Sequence, residues 1–227
     1  MRASLRLISL LAILIGLAAC AVPRPGGASP MSWVWILTGP KDAQVTGDAR
    51  GAAFRGHFAN MERMANEGQL LVAGPFGEPR ARADHRGVFV LATPDLAVAR
   101  EVADSDPTAQ AGVFVFEVEP FATSDALERL ASMHTAAVAA SGVVDPPPGF
   151  HCRAYVLVTG RPSAVAERAL AAAPVLFSGR IGDGESQRWL ACLDVTTAEE
   201  ARALLPPSTA EWTVMPWFAT NEVARLR

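Results

Sequence analysis

The sequence predicts an α+β protein in which two βαββαβ units pack sheet to sheet as one barrel. Short segments rich in Val, Phe, Trp and Leu alternate with helical segments in the same order in both halves, and several motifs occur twice. The 227 residues are 50% hydrophobic and 19% charged, a composition typical of chains that fold around a core. This length accommodates two small domains.

Three motifs recur in the same order and define the two units. The first is an apolar strand, the second an apolar strand that runs into a Gly-x-x-Gly turn, and the third a Phe-Ala-Thr tripeptide. The matched segments are 33–39 with 154–160, 70–77 with 175–182, and 121–123 with 218–220. The second unit is shorter before its second strand and again before its last strand.

Each unit is predicted to run strand, helix, strand, strand, helix, strand. In the first unit these elements fall near 32–38, 51–67, 69–74, 87–92, 94–103 and 112–119. Thr93-Pro94 and Thr196-Thr197 are suited to begin the second helix of each unit. Two right-handed crossovers on an antiparallel sheet give a ferredoxin-like layer, with helices on one face and an apolar second face.

The uncovered sheet face of each unit needs a partner, and the other half of the chain can supply it. The units are predicted at 31–122 and 151–227, joined by a linker at 123–150. Trp33 and Trp35 on an exposed sheet face would create a large exposed hydrophobic patch. We therefore expect them to pack inside an intramolecular α/β barrel. The alternative is two independent domains on a linker.

Residues 1–19 have the pattern of a secretory signal peptide. Two Arg precede an apolar run at 7–17 that is too short to span a bilayer and is followed by small residues. The run ends in Leu-Ala-Ala-Cys, which resembles the bacterial lipobox and implies that Cys20 is lipidated. The alternative is an ordinary signal peptide with a chance cysteine.

The lipobox resemblance implies a location in the bacterial cell envelope. Cys20 would be the anchor, and residues 20–30 form a Pro/Gly-rich tether. Ala21 stands where an Asp would retain a lipoprotein at the inner membrane, so we expect the outer membrane, facing the periplasm. The net charge is -3 and Lys41 is the sole lysine, a pattern that argues against nucleic-acid binding.

Three segments of the first unit carry a resemblance to a known family: 55–57, 67–75 and 105–114. Over about residues 31–122 they resemble the YCII-related family of dimeric α/β barrel proteins. The markers are a His on the first helix, a Gly-x-Leu-Leu-x-Ala-Gly-Pro strand and an Asp-Pro before the last strand. The resemblance implies that His57 and Asp106 form a dyad in a pocket, on a fold similar to muconolactone isomerase. The family often has Arg-x-x-His, whereas this sequence has Arg55-x-His57. The role of the family's Arg therefore does not transfer to Arg55.

The residues themselves are compatible with such a pair. One apolar stripe of the first helix, predicted to face the sheet, comprises Phe54, Phe58, Met61 and Ala65. His57 lies at the flank of this stripe, and we expect it to be half buried. Asp106 precedes Pro107, which favours extended or turn geometry. Its carboxylate could fix one imidazole nitrogen and leave the other to take a proton.

These observations predict an envelope lipoprotein with a small-molecule pocket. His57 is the candidate base and Asp106 its orienting partner, for proton transfer or elimination on an unidentified small molecule. Gly74 and Pro75 are predicted to line the pocket, within a Gly74-Pro75-Phe76-Gly77 segment that could supply backbone donors, although this segment suits a strand-ending turn equally well. The second half lacks an equivalent pair. The alternative function is a non-catalytic ligand-binding or interaction lipoprotein that retains only the fold.

The remaining His and Cys residues do not indicate a metal site. His85, His134 and His151 have no metal-ligand spacing, so we predict no metal and no cofactor. Cys152 and Cys192 would lie on the order of 15 Å apart on neighbouring parallel strands, so two buried thiols are expected rather than the disulfide that an oxidising envelope would allow. Pairing of the two halves permits a homo-oligomer without requiring one.

Overall fold

The first half of the chain forms the predicted order of strands and helices, with one short extra helix. The computed structural model describes residues 28–161, 163–205 and 212–226. The strands coincide with the segments rich in aromatic and β-branched residues, which favour a pleated, half-buried surface. The elements are β1 (Ser29–Thr38), α1 (Gly47–Asn66), β2 (Leu70–Pro75), β3 (His85–Leu91), α2 (Leu96–Asp104), α3 (Pro107–Gln110) and β4 (Phe114–Thr123).

The second half repeats the order of the long elements in a shorter form. A linker helix, α4 (Leu130–Ser141), precedes it, and a 3-10 turn at Asn221–Arg225 follows its last strand. The elements are β5 (Cys152–Gly160), α5 (Ala164–Ala172), β6 (Val175–Ile181), β7 (Arg188–Leu193), α6 (Ala198–Leu204) and β8 (Thr213–Thr220). The βαββαβ order predicted for both halves is therefore confirmed.

The predicted helix caps are correct in one half and displaced in the other. At α6, the Thr197 hydroxyl accepts from the Glu200 N–H at 3.2 Å, and the Glu200 carboxylate accepts from the Thr197 N–H at 3.0 Å. At α2 the cap is Asp95, whose carboxylate accepts from two N–H groups of the first turn. The prediction of Thr93-Pro94 was wrong because an Asp, a stronger cap, follows directly, and the Thr93 hydroxyl accepts from the Asp95 N–H instead.

All eight strands belong to one antiparallel sheet in the order β2-β3-β1-β4-β6-β7-β5-β8. Within each half the first strand lies between the third and the fourth, which is the ferredoxin-like order. One seam between the halves is β4 against β6, where Phe121 is paired with Ile181 and Thr123 with Gly179. The two halves thus meet through main-chain pairing at their sheet edges as well as through their apolar faces.

A second seam brings β8 back to β2 and closes the sheet. Phe76 forms an antiparallel bridge with Trp217. The Gly77 N–H donates to the Pro216 carbonyl at 2.9 Å, and the Trp217 indole N–H donates to the Gly74 carbonyl at 3.2 Å. The fold is therefore an intramolecular α/β barrel, and the alternative of two independent domains on a linker is wrong.

Three hydrophobic cores follow from the alternation of side chains along the strands. In β1, Trp33 and Trp35 face the barrel interior, while Val34 and Ile36 face the helices of the first half. The interior core combines both halves, since Tyr155 of β5 is as fully buried as Trp33. A third core lies between the helices and the sheet of the second half. Trp33 and Trp35 thus pack in the core as predicted.

Part of the predicted linker belongs to the barrel core. Leu127, in a 3-10 turn, and Leu130, at the start of α4, are both 0% exposed and pack with the interior side chains of the strands. Because β4 ends and β5 begins at the same end of the barrel, the linker between them lies across that end. It therefore closes the barrel as well as connecting the halves.

The two cysteines of the second half are free thiols, as predicted, but only Cys192 is buried, and Cys152 is half buried. Cys192 on β7 lies opposite Leu157 on β5, five residues along the strand from Cys152. The predicted parallel arrangement was wrong: the first and third strands of each unit are antiparallel neighbours. Burial raises the pKa of the Cys152 thiol to about 11 and that of Cys192 well above its usual value, so both remain protonated.

Candidate active site

Helix α1 places the His57 side chain in the protein interior. The buried side chains of this helix are Ala53, His57 and Met64, whereas Phe58 is 42% exposed. Of the predicted apolar stripe, Phe54 and Met61 do pack against the core between this helix and the sheet, and only Phe58 is misplaced. His57 is 6% exposed, so the expected half burial was wrong. The physical reason is that the imidazole has a buried polar partner, which allows it to take a position that the hydrophobic pattern gives to Phe.

That partner is Asp106, which lies at the junction of α2 and α3. Its backbone is extended, with φ -64° and ψ 133°, as the following Pro107 favours. Asp106 is the N-cap of α3, and its carboxylate accepts from the backbone N–H of Thr108 at 2.9 Å and from the Thr108 hydroxyl. The Asp106 side chain is 0% exposed. The capping contacts with Thr108 thus hold the Asp106 carboxylate in place independently of its contact with His57 on α1.

The structure brings the two predicted residues together. His57 Nδ1 lies 3.0 Å from each carboxylate oxygen of Asp106. Asn60, one turn further along α1, donates its side-chain amide to Asp106 at 3.0 Å and accepts from Arg63 at 2.8 Å. The sequence analysis missed Asn60 and Thr108. The available signals were the i, i+3 spacing from His57 and the Asp-Pro-Thr capping pattern.

A glycine allows α1 and α3 to approach closely enough for this contact. An ideal Cβ on Gly56 would lie 2.8 Å from Cγ and 2.9 Å from Cβ of Pro107, both shorter than side-chain carbons tolerate. Pro107 directly follows Asp106, and His57 directly follows Gly56, so the Gly56–Pro107 contact sets the distance between the His57 and Asp106 side chains. Arg55, by contrast, is exposed.

The surroundings of Asp106 favour an ionised carboxylate. Burial by itself would raise the pKa of Asp106, but the hydrogen bond and the positive charge from His57, with the bonds from Thr108 and Asn60, outweigh it and lower the pKa below 3.8. An ionised carboxylate only accepts, so Nδ1 of His57 carries a proton. In the neutral imidazole the lone pair is therefore on Nε2.

Four phenylalanines surround the imidazole. Phe89 stacks on it with a centroid distance of 5.7 Å, while Phe54, Phe58 and Phe114 meet it edge-on at centroid distances from 5.5 to 6.2 Å. Within the described ranges, Nε2 of His57 has no hydrogen-bond partner, and 8% of the side chain is exposed. This open nitrogen in an apolar wall can accept a proton from a small molecule.

Gly74 and Pro75 lie at the β2–β8 seam. An ideal Cβ on Gly74 would be 2.0 Å from the Phe218 carbonyl oxygen and 2.7 Å from the Trp217 indole nitrogen. Glycine is thus required there by the close approach of β8. The lining role predicted for Gly74 and Pro75 remains a prediction. Cys20, the predicted lipidation site, lies outside the described residues.

A second histidine–carboxylate contact, which sequence analysis did not anticipate, lies at the closed end of the barrel. His151 Nε2 is 3.0 Å from the buried carboxylate of Glu222. His134 of α4 is 2.9 Å from the Thr220 hydroxyl. Across the described part of the chain, no three His, Cys, Asp or Glu side chains gather into a metal site. This cluster joins the linker helix to the C-terminal turn.

His85 lies apart from the other histidines. Its ring is stacked against Trp35 and Phe76 at centroid distances of 5.2 and 6.0 Å. Burial and the nearby Arg82 lower the pKa of His85, against the attraction of acidic neighbours that include Glu117. His85 is therefore a neutral packing residue of the barrel interior.

Comparison with known proteins agrees with the resemblance in the first half. Residues 31–122 match the family model of the YCII-related domain, which is the span predicted from the sequence. Both His57 and Asp106 lie within the matched residues.

Two further comparisons concern the whole chain. No curated protein sequence matches it. Among solved structures, a "putative monooxygenase" from Lactobacillus acidophilus NCFM is 14% identical, with a TM-score of 0.42, over 84% of this chain and 94% of the other.

Proposed function

We propose that the domain at 31–122 binds a small organic molecule and transfers a proton through His57 and Asp106, in an isomerisation or elimination. The observation that supports this most directly is the contact of His57 Nδ1 with both oxygens of Asp106 at 3.0 Å. It orients the imidazole with Nε2 outward, as a general base requires. Neither residue has a counterpart in the second half, so each chain has one such site.

The chemistry follows from the contacts. Nε2 removes a proton from an acidic C–H or O–H of the substrate, and the imidazolium that forms is stabilised by the Asp106 carboxylate. Asn60 and Thr108 hold that carboxylate in place. The ring of Phe side chains keeps water from the imidazole and favours substrates with an apolar or cyclic body. The same imidazolium can return the proton to a different atom, which completes an isomerisation.

Proton abstraction can be tested without knowing the substrate. In D2O, ¹H NMR follows the loss of C–H signals from a panel of small lactones, ketones and 2-oxo acids. His57→Asn should slow the exchange by about 10²-fold or more, whereas His134→Asn, a matched change outside the site, should leave the rate unchanged. Equal exchange by wild type and His57→Asn would exclude His57 as the base.

The small exposure of His57 argues against turnover and leaves a second candidate function. Only 8% of the His57 side chain is accessible, as in a domain that retains the fold and binds a ligand without turning it over. In that case no compound of the panel exchanges its C–H protons with D2O in the presence of any variant. Compounds that bind still shift the NMR signals of the four Phe side chains around His57.

Sequence patterns and fold support two further parts of the proposal. The first part is that the second half is a degenerate copy of the first, which is supported by the βαββαβ order and the strand order that both halves share. The chain is an envelope lipoprotein held in the outer membrane by lipids on Cys20. Across 28–161, 163–205 and 212–226, no helix has both the length and the hydropathy needed to span a bilayer.

The anchor is tested by replacing the proposed lipidated cysteine. Cys20→Ser should release the protein from the membrane fraction and remove the mass of the acyl chains, because firm attachment requires them. Cys152→Ser controls for loss of a thiol and should remain membrane-bound. Mass spectrometry and membrane fractionation measure both effects; an unchanged mass and unchanged partitioning in Cys20→Ser would rule out the anchor.

A further inference from the structure

The second half has a cleft where its first helix is short. Helix α1 spans Gly47–Asn66, whereas its counterpart α5 spans only Ala164–Ala172. The outward face of β6 and β7 beside α5 is therefore less covered, and an open cleft of about 600 Å³ lies there. This volume is in the range of ligand pockets, roughly 300–1,000 Å³. Its lining includes Glu167, Leu170, Val175, Ser178, Arg180 and Trp189.

The cleft contains an oriented and weakly neutralised positive charge. The guanidinium of Arg180 lies 3.6 Å from the ring centroid of Trp189, a stacking contact that holds it in place. The partner of Arg180 is Glu167 at 3.4 Å, a long contact between side chains that are 32% and 55% exposed. A pair this long and this exposed contributes little stability, so another carboxylate can displace Glu167 at low cost.

The remaining wall of the cleft is apolar, with one unused donor. Leu170 and Val175 provide aliphatic surface beside the Trp189 ring. The Trp189 indole N–H is buried and has no acceptor among the described residues. A buried donor without a partner is energetically costly, and its indole is part of the wall that a ligand would contact.

We propose that this cleft is a second ligand site, which binds small carboxylates with an apolar chain. The ligand carboxylate pairs with Arg180 in place of Glu167, and the chain packs against Leu170 and Trp189. The site is independent of the His57–Asp106 pair, because it is built entirely from the second half.

The test follows the indole N–H signal of Trp189 in ¹H–¹⁵N NMR spectra during titration with hexanoate. Trp189→Phe assigns that signal among those of the five tryptophans. Hexanoate should shift it saturably, and hexanol, which has the same chain without the carboxylate, should bind at least about tenfold more weakly, as expected for loss of a charge-assisted contact.

Three variants sharpen the test. Arg180→Gln should weaken hexanoate binding about tenfold or more, and Glu167→Gln should strengthen it because the competing carboxylate is gone. Arg168→Gln, on the same helix, should have no effect. Equal binding of hexanol and hexanoate, absence of a saturable shift, or weaker binding by Glu167→Gln would each overturn the proposal. His57→Asn should bind hexanoate normally, which separates this result from the proposed function.

Discussion

Replacing Asp106 with Ala is expected to lower the free energy of unfolding by about 3 kcal/mol, the cost of leaving buried donors without their charged acceptor. The carboxylate accepts from His57, from Asn60 and twice from Thr108, and it caps α3. Among the described residues, His57 Nδ1 and the Thr108 N–H and hydroxyl have no acceptor other than Asp106. Urea-induced unfolding measures the change.

Asp104→Ala is the matched control for this prediction. Asp104 is an exposed carboxylate two residues earlier in the chain, and its removal should change the stability by less than about 0.5 kcal/mol. A similar loss of stability in both variants would mean that the buried contacts of Asp106 do not stabilise the fold.

The pKa of Asp106 is lower in the folded state than 3.8. The stability it contributes is therefore fully present above about pH 4 and is lost as the pH falls through the folded pKa.

Gly74→Ala is expected to break the β2–β8 seam and to destabilise the protein by about 3 kcal/mol, at the upper end of the cost of overpacking. The added Cβ would lie 2.0 Å from a backbone oxygen of Phe218, and a backbone atom cannot move aside as the end of a flexible side chain can. The strands must separate, which also breaks the bond from the Trp217 indole to Gly74. Unfolding curves, followed by tryptophan fluorescence, measure the effect.

Gly77→Ala tests whether the effect is specific to the seam contact. Its added Cβ would be 3.4 Å from the Pro216 side chain, an ordinary van der Waals distance. The stability should therefore change by less than about 1 kcal/mol. A Gly74→Ala protein as stable as Gly77→Ala would mean that β8 does not approach β2 as closely as described.

Much of the fold can be predicted because local pattern and global order agree in this chain. The duplicated strand order predicts two sheets whose apolar faces cover each other, and Trp33 and Tyr155 do lie in one shared core. The strand seams could not be predicted in the same way. They depend on register between distant segments, such as Phe121 with Ile181, for which no single-sequence signal exists.

The site could be predicted in part. The identity of the pair came from the resemblance around His57 and Asp106, and the extended backbone before Pro107 came from elementary sterics. The positions of Phe58 and His57 on α1 were predicted incorrectly because a hydrophobic-stripe argument assigns Phe58 to the core and a histidine to the flank. The charged hydrogen-bond partner Asp106 allows His57 to be buried in place of Phe58. Hydrophobic periodicity cannot predict this, because it does not take hydrogen-bond partners into account.

Closure of the barrel also has a consequence for the time course of folding. The seam contact between Trp217 and Gly74 joins residues 143 positions apart, and closing so long a loop costs entropy before the contact forms. Contacts of this kind slow folding, typically into the millisecond-to-second range. During synthesis the first half emerges with Trp33 and Trp35 uncovered until the second half follows. The nascent chain therefore has an aggregation-prone interval that ends only when β8 reaches β2.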